Sequence, residues 1–306
     1  MKIIICIILS SLIINCALAE DALQEHQWQA TLKAVDETGQ PVVGAKIQVG
    51  YDMSTNIIAG LTDTNGRFIA SHTSRSVDLG FYAEKPSYYP FRMQYHMGFF
   101  YKPEIWNPVQ TVVLKRIIRP VPMYAKQLRT HVPDLDKPIG YDLTVGDWIA
   151  PYGRGNQGDI LFTAHFDKPN NDESDFTLTI GFPNQKDGIQ EFSVPAYYLG
   201  SQGSELRSAE EAPADGYQPE WVQTDNRKAG QPVKTNRDLN RNYYFRVRTK
   251  MDDRGNIVSA HYGKIYGDFM QFTYYLNPTP NSRNVEFDPK QNLIKNLKPE
   301  EEVSEP

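Results

Sequence analysis

Residues 28–70 read WQATLKAVDETGQPVVGAKIQVGYDMSTNIIAGLTDTNGRFIA, and this stretch decides how the rest of the chain is understood. Trp28, Ala30, Leu32 and Ala34 fall on one face and Gln29, Thr31 and Lys33 on the other, the period of two that marks a strand with one buried face. Asp36-Glu37-Thr38-Gly39 is turn chemistry, and Pro41 follows where no ladder donor is needed. Ala45, Ile47, Val49 and Tyr51 alternate again, and Thr62-Asp63-Thr64-Asn65-Gly66 predicts a tight turn before Phe68 resumes the apolar face.

The series Val35-Asp36, Gly39, Pro41-Val42, Gly44-Ala45, Ile47, Val49, Gly60, Thr62-Asp63, Gly66 and Phe68 resembles the carboxypeptidase regulatory-like domain family. The resemblance covers residues 28 to about 117. It implies a transthyretin-like β-sandwich of the immunoglobulin-like kind, acting as an accessory or stalk-like module in extracytoplasmic proteins rather than as a catalyst.

Upstream, residues 1–19 have the layout of a secretory signal. Lys2 supplies the positive start, residues 3–14 an apolar run too short to span a bilayer, and Ala17-Leu18-Ala19 a small-residue site with cleavage after Ala19. A lipoprotein signal using Cys16 is the rival, with Asn15 standing where a small residue is wanted. Both cysteines, Cys6 and Cys16, belong to this segment, so the mature chain is predicted to carry no thiol chemistry and no disulfide. About 287 mature residues suffice for two ordinary domains. The formal charge is −5, and −6 once Lys2 is removed. A mildly acidic chain without a basic cluster is a poor candidate for nucleic acid or an anionic membrane surface. No transmembrane segment is expected in the mature chain.

Downstream of the module, ten aromatics lie between Phe81 and Trp106. They read as core filling for the sandwich, the alternative being a stacking platform. The regulatory-like sandwich is placed at 26–118, and Arg119-Pro120-Val121-Pro122 predicts a linker over 119–139. A second antiparallel β-sandwich or half-barrel is expected over 140–280. Its signals are the alternations Ile160/Phe162/Ala164/Phe166, Phe176/Leu178/Ile180/Phe182, Tyr243/Phe245/Val247 and Met270/Phe272/Tyr274/Leu276. A polar loop insertion is predicted at 195–242, with the one short helix candidate at 204–212, and composition predicts a polar, disordered tail at 281–306. The fold expected is therefore all-β. The segments PVPMYAK, YDLTVGDWIAPYG and YYLNPTPNSRNVEFDP also resemble a group of bacterial secreted proteins with no assigned role.

The chemistry-bearing candidates are few. Gly153-Arg154-Gly155-Asn156-Gln157-Gly158 matches the dinucleotide fingerprint in letters, but a strand follows it where a helix N-terminus is required. Asp167, Asp172 and Asp175, with Asn170, Asn171 and Glu173, offer hard oxygen ligands that suit calcium; the competing reading is a solvated hairpin tip. The six histidines are scattered, with only His165 and His261 on strands that could meet. No GxSxG elbow is present, and Gly200-Ser201-Gln202-Gly203-Ser204 does not supply one. Trp148, Tyr152 and Trp221 flank loops and are candidates to stack on a sugar. The sequence thus points to an exported, non-enzymatic accessory, binding or structural protein of the envelope or extracellular space, with no cofactor and with an envelope or extracellular protein or glycan as partner. The alternative is a carbohydrate-active or carbohydrate-binding protein with its site near 195–242, which would need two facing carboxylates in a cleft.

Overall fold

The computed structural model describes residues 25–51, 56–75, 77–98, 102–194, 203–238 and 240–306. The signal segment with Cys16 and Ala19, and the aromatics at 99–101, lie outside the described residues. The chain is all-β and divides into two compact units, one from Met1–Ile117 with Ala196–Glu205, the other from Ile118–Pro195 with Leu206–Pro306. No helix among the described residues is long and apolar enough to cross a membrane.

The first unit is a sandwich of strands β1 (His26–Val35), β2 (Lys46–Tyr51), β3 (Ile57–Leu61), β4 (Arg67–Ser74), β5 (Asp78–Glu84), β6 (Phe91–His96) and β7 (Val109–Val113), with the short helix α1 (Pro103–Trp106) before β7. One sheet runs β4-β1-β7, with β7 parallel to β1; the other runs β6-β5-β2-β3 and gains the two-residue strand Gly203–Ser204 against β6. Trp28, Ala30, Leu32, Ile47, Val49, Phe81 and Phe91 fill the space between them. The corners are set locally. Asp36 Oδ1 accepts from the amides of Thr38 and Gln40, and Asp63 Oδ1 from those of Asn65 and Arg67. Gly66 sits at φ +71°, where a Cβ would run into the Ala34 carbonyl, a position closed to any side chain. Of the aromatic run, Tyr89, Phe91 and Trp106 are buried in this unit.

The second unit is built from β8 (Val121–Arg129), β9 (Ile139–Asp142), β10 (Asp147–Trp148), β11 (Ile160–Asp167), β12 (Ser174–Gly181), β13 (Gly188–Ser193), then, beyond Gly203–Ser204 (β14), β15 (Glu220–Arg227), β16 (Lys234–Thr235), β17 (Arg241–Met251), β18 (Ile257–Asp268), β19 (Gln271–Leu276) and β20 (Phe287–Asn292). Two six-stranded sheets, β10-β9-β11-β12-β15-β16 and β13-β17-β18-β19-β8-β20, face one another. Phe162, Leu178 and Ile180 of the first meet Phe245, Ile265, Phe272 and Tyr274 of the second in a shared core. The second sheet is buried on its far side as well. There Tyr244, Tyr262, Tyr266 and Tyr275 pack with Met123, Ala125, Ala212, Val285 and Phe287.

That second buried face corrects three expectations. Residues 119–139 are not a linker: β8 lies between β19 and β20. Pro122 is tolerated because the parallel β8–β20 pairing is irregular there, only Val121 and Met123 finding partners. The 281–306 segment is not a disordered tail. Val285 and Phe287 are fully buried, Lys126 pairs with Glu301 at 2.9 Å, and the Tyr275 hydroxyl donates to the Glu305 carbonyl at 3.2 Å. The expected 195–242 insertion contains β14, β15 and β16, and no helix forms at 204–212. Instead the amides of Arg207 and Ser208 donate to the Tyr266 hydroxyl and that of Ala209 to Tyr244, pinning the segment onto the aromatic face.

Gly263 in β18 is where this layering is tightest, because a Cβ would overlap the Phe245 ring and the Tyr275 carbonyl. Gly263→Ala is expected to cost about 1–3 kcal/mol of stability. Urea unfolding checks it; an unchanged midpoint would show that the two aromatic layers can part.

Candidate functional site

Two clusters of buried charge in the second unit invite a catalytic reading. At the first, β17 carries a bulge where Arg248 stands at φ +56°. Its Nε and Nη2 donate to Asp159 Oδ1 and Oδ2 at 2.7 and 2.8 Å. Its backbone amide and that of Thr249 donate to Asp187 at 3.1 and 2.9 Å. Asp142, on β9, accepts from the Thr144 hydroxyl and amide and from the amides of Val145, Asn156 and Gln157. Burial works against ionisation of Asp142, yet those donors hold its carboxyl below the usual carboxylate range. Asp159 is pushed the other way by burial, opposed by Arg248.

Two facing carboxylates with divergent acidities are what a glycosidase would need. Here every oxygen already accepts from a donor within the fold and both residues are buried, so neither faces a substrate. The fingerprint glycines belong to the same structure. A Cβ on Gly155 would meet the Asp147 carbonyl at 2.8 Å and one on Gly158 the Cα of Gly140 at 3.1 Å, so they let the loop lie against β9 and β10. The strand β11 follows at Ile160, as the residues predict.

The second place is Lys264, fully buried between the rings of Tyr266 and Tyr275 at 4.8 and 4.7 Å. Its Nζ donates to Ser208 Oγ at 3.3 Å, and burial holds the amine well below its ordinary value. Ser208 is sealed with it, so the pair fastens the covering segment rather than meeting solvent.

A cleft of about 260 Å³ opens elsewhere in this unit, lined by Phe166, Ser174, Phe176, Gln223, Asp225, Arg227, Arg237 and Met270. The strand registers explain it. Across β11, β12 and β15, Phe162, Ile180 and Trp221 form one row, Ala164, Leu178 and Gln223 the next, and Phe166, Phe176 and Asp225 the third. The first row is closed over by Phe269 and Phe272, which pack against Phe162, while Phe269 also meets Trp221. The third row is where the cleft opens, and Phe166 is 48% exposed there.

Gln223 forms the floor. Its side chain is fully buried, and both Oε1 and Nε2 are without a hydrogen-bond partner. Among the described residues no other side chain leaves two buried polar atoms unpaired; the others leave one each. Leaving a buried polar group unmade costs about 1–3 kcal/mol, so such a group calls for a reason.

The walls are held rigidly. Asp268 Oδ1 accepts from the amides of Met270 and Gln271, fixing the β18–β19 turn that presents Met270. Asp268 Oδ2 takes the Arg237 guanidinium through Nε and Nη2 at 2.9 and 2.6 Å. That leaves Arg237 Nη1 at 3.9 Å from Asp225. Asn236, next to Arg237, is itself bonded to β15 through Thr224 and Val222. The result is an apolar slot with an unpaired amide below and charges of both signs on its rim.

The sequence candidates fall as follows. Trp221 lies on β15 two residues from Gln223, beneath the cleft, in edge contact with Tyr243 at 5.3 Å; its indole N–H donates to Glu191. Trp148 packs edge-on to Tyr141 and Phe162 at 5.1 and 5.3 Å, at the other end of the same sheet. Tyr152 is exposed and donates to Asp134 at 2.9 Å. The structure does not bring the three together. Asp167 and Asp175 are cross-strand partners on the opposite face of the hairpin from Phe166 and Phe176, and Asp172 lies at its tip, its amide donating to Asn170. Among the described residues no group of three or more His, Cys, Asp or Glu side chains could hold a metal ion. His165 pairs with Asp136 at 2.6 Å and His261 with the Asn277 carbonyl at 3.2 Å, on different sheets. Sequence reading missed Gln223 because a glutamine among polar neighbours carries no signal until its strand is known to be internal.

No family model matches the sequence, and no curated protein matches it. Among solved structures the chain is similar to 3-chlorocatechol 1,2-dioxygenase from Rhodococcus opacus (11% identity, 30% of this chain and 60% of that one, TM-score 0.25). It is also similar to the shaft pilin SpaA of Lactobacillus rhamnosus (9% identity, 79% and 94%, TM-score 0.25). A third is a putative membrane-associated protein of unknown function from Bacteroides fragilis (10% identity, 85% and 100%, TM-score 0.23). At these scores no residue role passes from them to this chain.

The Arg248 network makes a prediction. Arg248→Met removes the guanidinium that pairs with the buried Asp159 and is expected to cost about 3–5 kcal/mol. Asp142, depressed in the fold, adds stability that is complete above its ordinary value of 3.8 and is lost as pH falls through the folded value. Asp142→Asn should therefore flatten the acid side of the stability profile, measured by thermal unfolding between pH 2 and pH 6. An unchanged acid slope would place the acid sensitivity elsewhere.

Proposed function

We propose that the chain is an exported, non-enzymatic binding protein of the cell envelope or extracellular space, and that the Gln223 cleft is where it holds its ligand. The observation that carries this reading is the fully buried Gln223 amide with both ends unpaired under an open apolar slot. A core position that only had to be filled would be apolar, as Leu178 beside it is. A preformed apolar pocket with a few convergent polar groups is the usual form of a ligand site. The non-enzymatic part rests on the state of the buried ionisable groups, which are spent on the fold at Asp142, Asp159 and Lys264. Export rests on the layout of residues 1–19. The first unit is read as a regulatory-like spacer or docking module, supported by the turn residues from Asp36 to Gly66 that set its corners.

Met270 lines the slot and supplies a reporter. With ¹³C-methyl methionine in the purified chain, titration with a library of small polar fragments should move the Met270 resonance for a subset of compounds. Gln223→Leu should abolish those shifts. If no fragment moves Met270, the cleft is not a ligand site and the binding reading falls.

A further inference from the structure

The chemistry of the slot narrows what it takes. An amide with both Oε1 and Nε2 free calls for an acceptor and a donor, and a trans amide, its C=O and N–H on opposite sides, meets one of the two while a neighbouring hydroxyl meets the other. Phe166, Phe176 and Met270 line the same cleft, so a small apolar end on the incoming amide is covered there. The rim presents Ser174, Asp225, Arg227 and Arg237, donors and acceptors together, which suits hydroxyl groups able to play both roles. The volume, about 260 Å³, is below that of a drug-sized pocket and fits one ring with one substituent.

We infer that the cleft receives the acetamido group of an N-acetylated amino sugar, its methyl against Phe166, Phe176 and Met270 and its amide on Gln223. This rests on the cleft being the binding site. A peptide amide has the same local chemistry, but peptides docking on sheets gain affinity by pairing with a free strand edge. At the floor of the cleft no such edge is open. Strand β12 is paired on both sides by β11 and β15, β19 by β18 and β8, and the outer edge of β15 is occupied by β16 and the Asn236 side chain. The cleft is a side-chain surface, and a compact ligand reads side chains.

The test titrates the purified chain with N,N′-diacetylchitobiose, with cellobiose, which lacks the acetamido group, and with N-acetyl-alanyl-alanine amide. The Met270 methyl and Gln223 side-chain amide resonances are followed by NMR. Diacetylchitobiose should move both, with cellobiose weaker by about tenfold or more, because it lacks the acetamido carbonyl for Gln223 and the methyl for the apolar walls. Gln223→Leu should erase the preference. Equal binding of the two sugars overturns acetamido recognition and leaves the cleft as a binding site. Tighter binding of the peptide overturns the sugar assignment and likewise leaves the cleft. Silence from all three probes, with fragments still moving Met270, overturns the ligand class; silence from those fragments as well overturns the binding reading itself.

Discussion

The inner face of the β10-β9-β11-β12-β15-β16 sheet must be covered, and the row of side chains through β15 sets how far that cover reaches. At Trp221 the row is wholly apolar and the opposing Phe269 closes on it. One step further, at Gln223, the chain puts a polar amide where the row beside it is Leu178 and Ala164. At Asp225 the packing gives way to the charged rim that Arg237 faces. Because side chains alternate with a period of two, a one-residue slip of β15 would move Trp221 and Gln223 together to the outer face. The cleft exists only in this register.

Elsewhere in the unit the buried charges are paired within the fold. Asp142 gathers amides from two loops, Asp159 takes a two-pronged guanidinium, and Glu286 accepts from the amides of Ile118 and Arg119. Even Lys264, costly to bury, lies between two tyrosine rings and reaches Ser208. Against that background an amide with neither end paired is not an oversight of packing. It is a cost carried for something that arrives from solvent, the pattern expected where stability yields to function.

How much of this was legible in the residues differs by place. The hairpins β11–β12 and β17–β18 and the corners at Asp36 and Asp63 follow from alternation and turn chemistry, which are local. Strand β15 was hidden because Gln223 and Asp225 stand where the pattern wants apolar residues; the substitutions that make the cleft also erase the strand signal. Strand β8 was hidden by Pro120 and Pro122, read as a linker, although the irregular pairing with β20 needs no donor from Pro122. The C-terminal cover was hidden because Tyr244, Tyr262, Tyr266 and Tyr275 read equally well as solvent-facing. Only the long-range return of Val285 and Phe287 makes them interior. Trp148 and Trp221 drew attention as loop aromatics, yet both pack against the core.

The account turns on Gln223 being unpaired in the empty protein, and the unfolding free energy of Gln223→Leu tests that most directly. With no bond to lose and a buried amide replaced by a side chain of similar size, the variant is expected to be more stable by about 1–3 kcal/mol in urea or thermal unfolding. A loss of stability of that size would mean that the amide is already satisfied within the fold, and the cleft would lose its claim to a ligand.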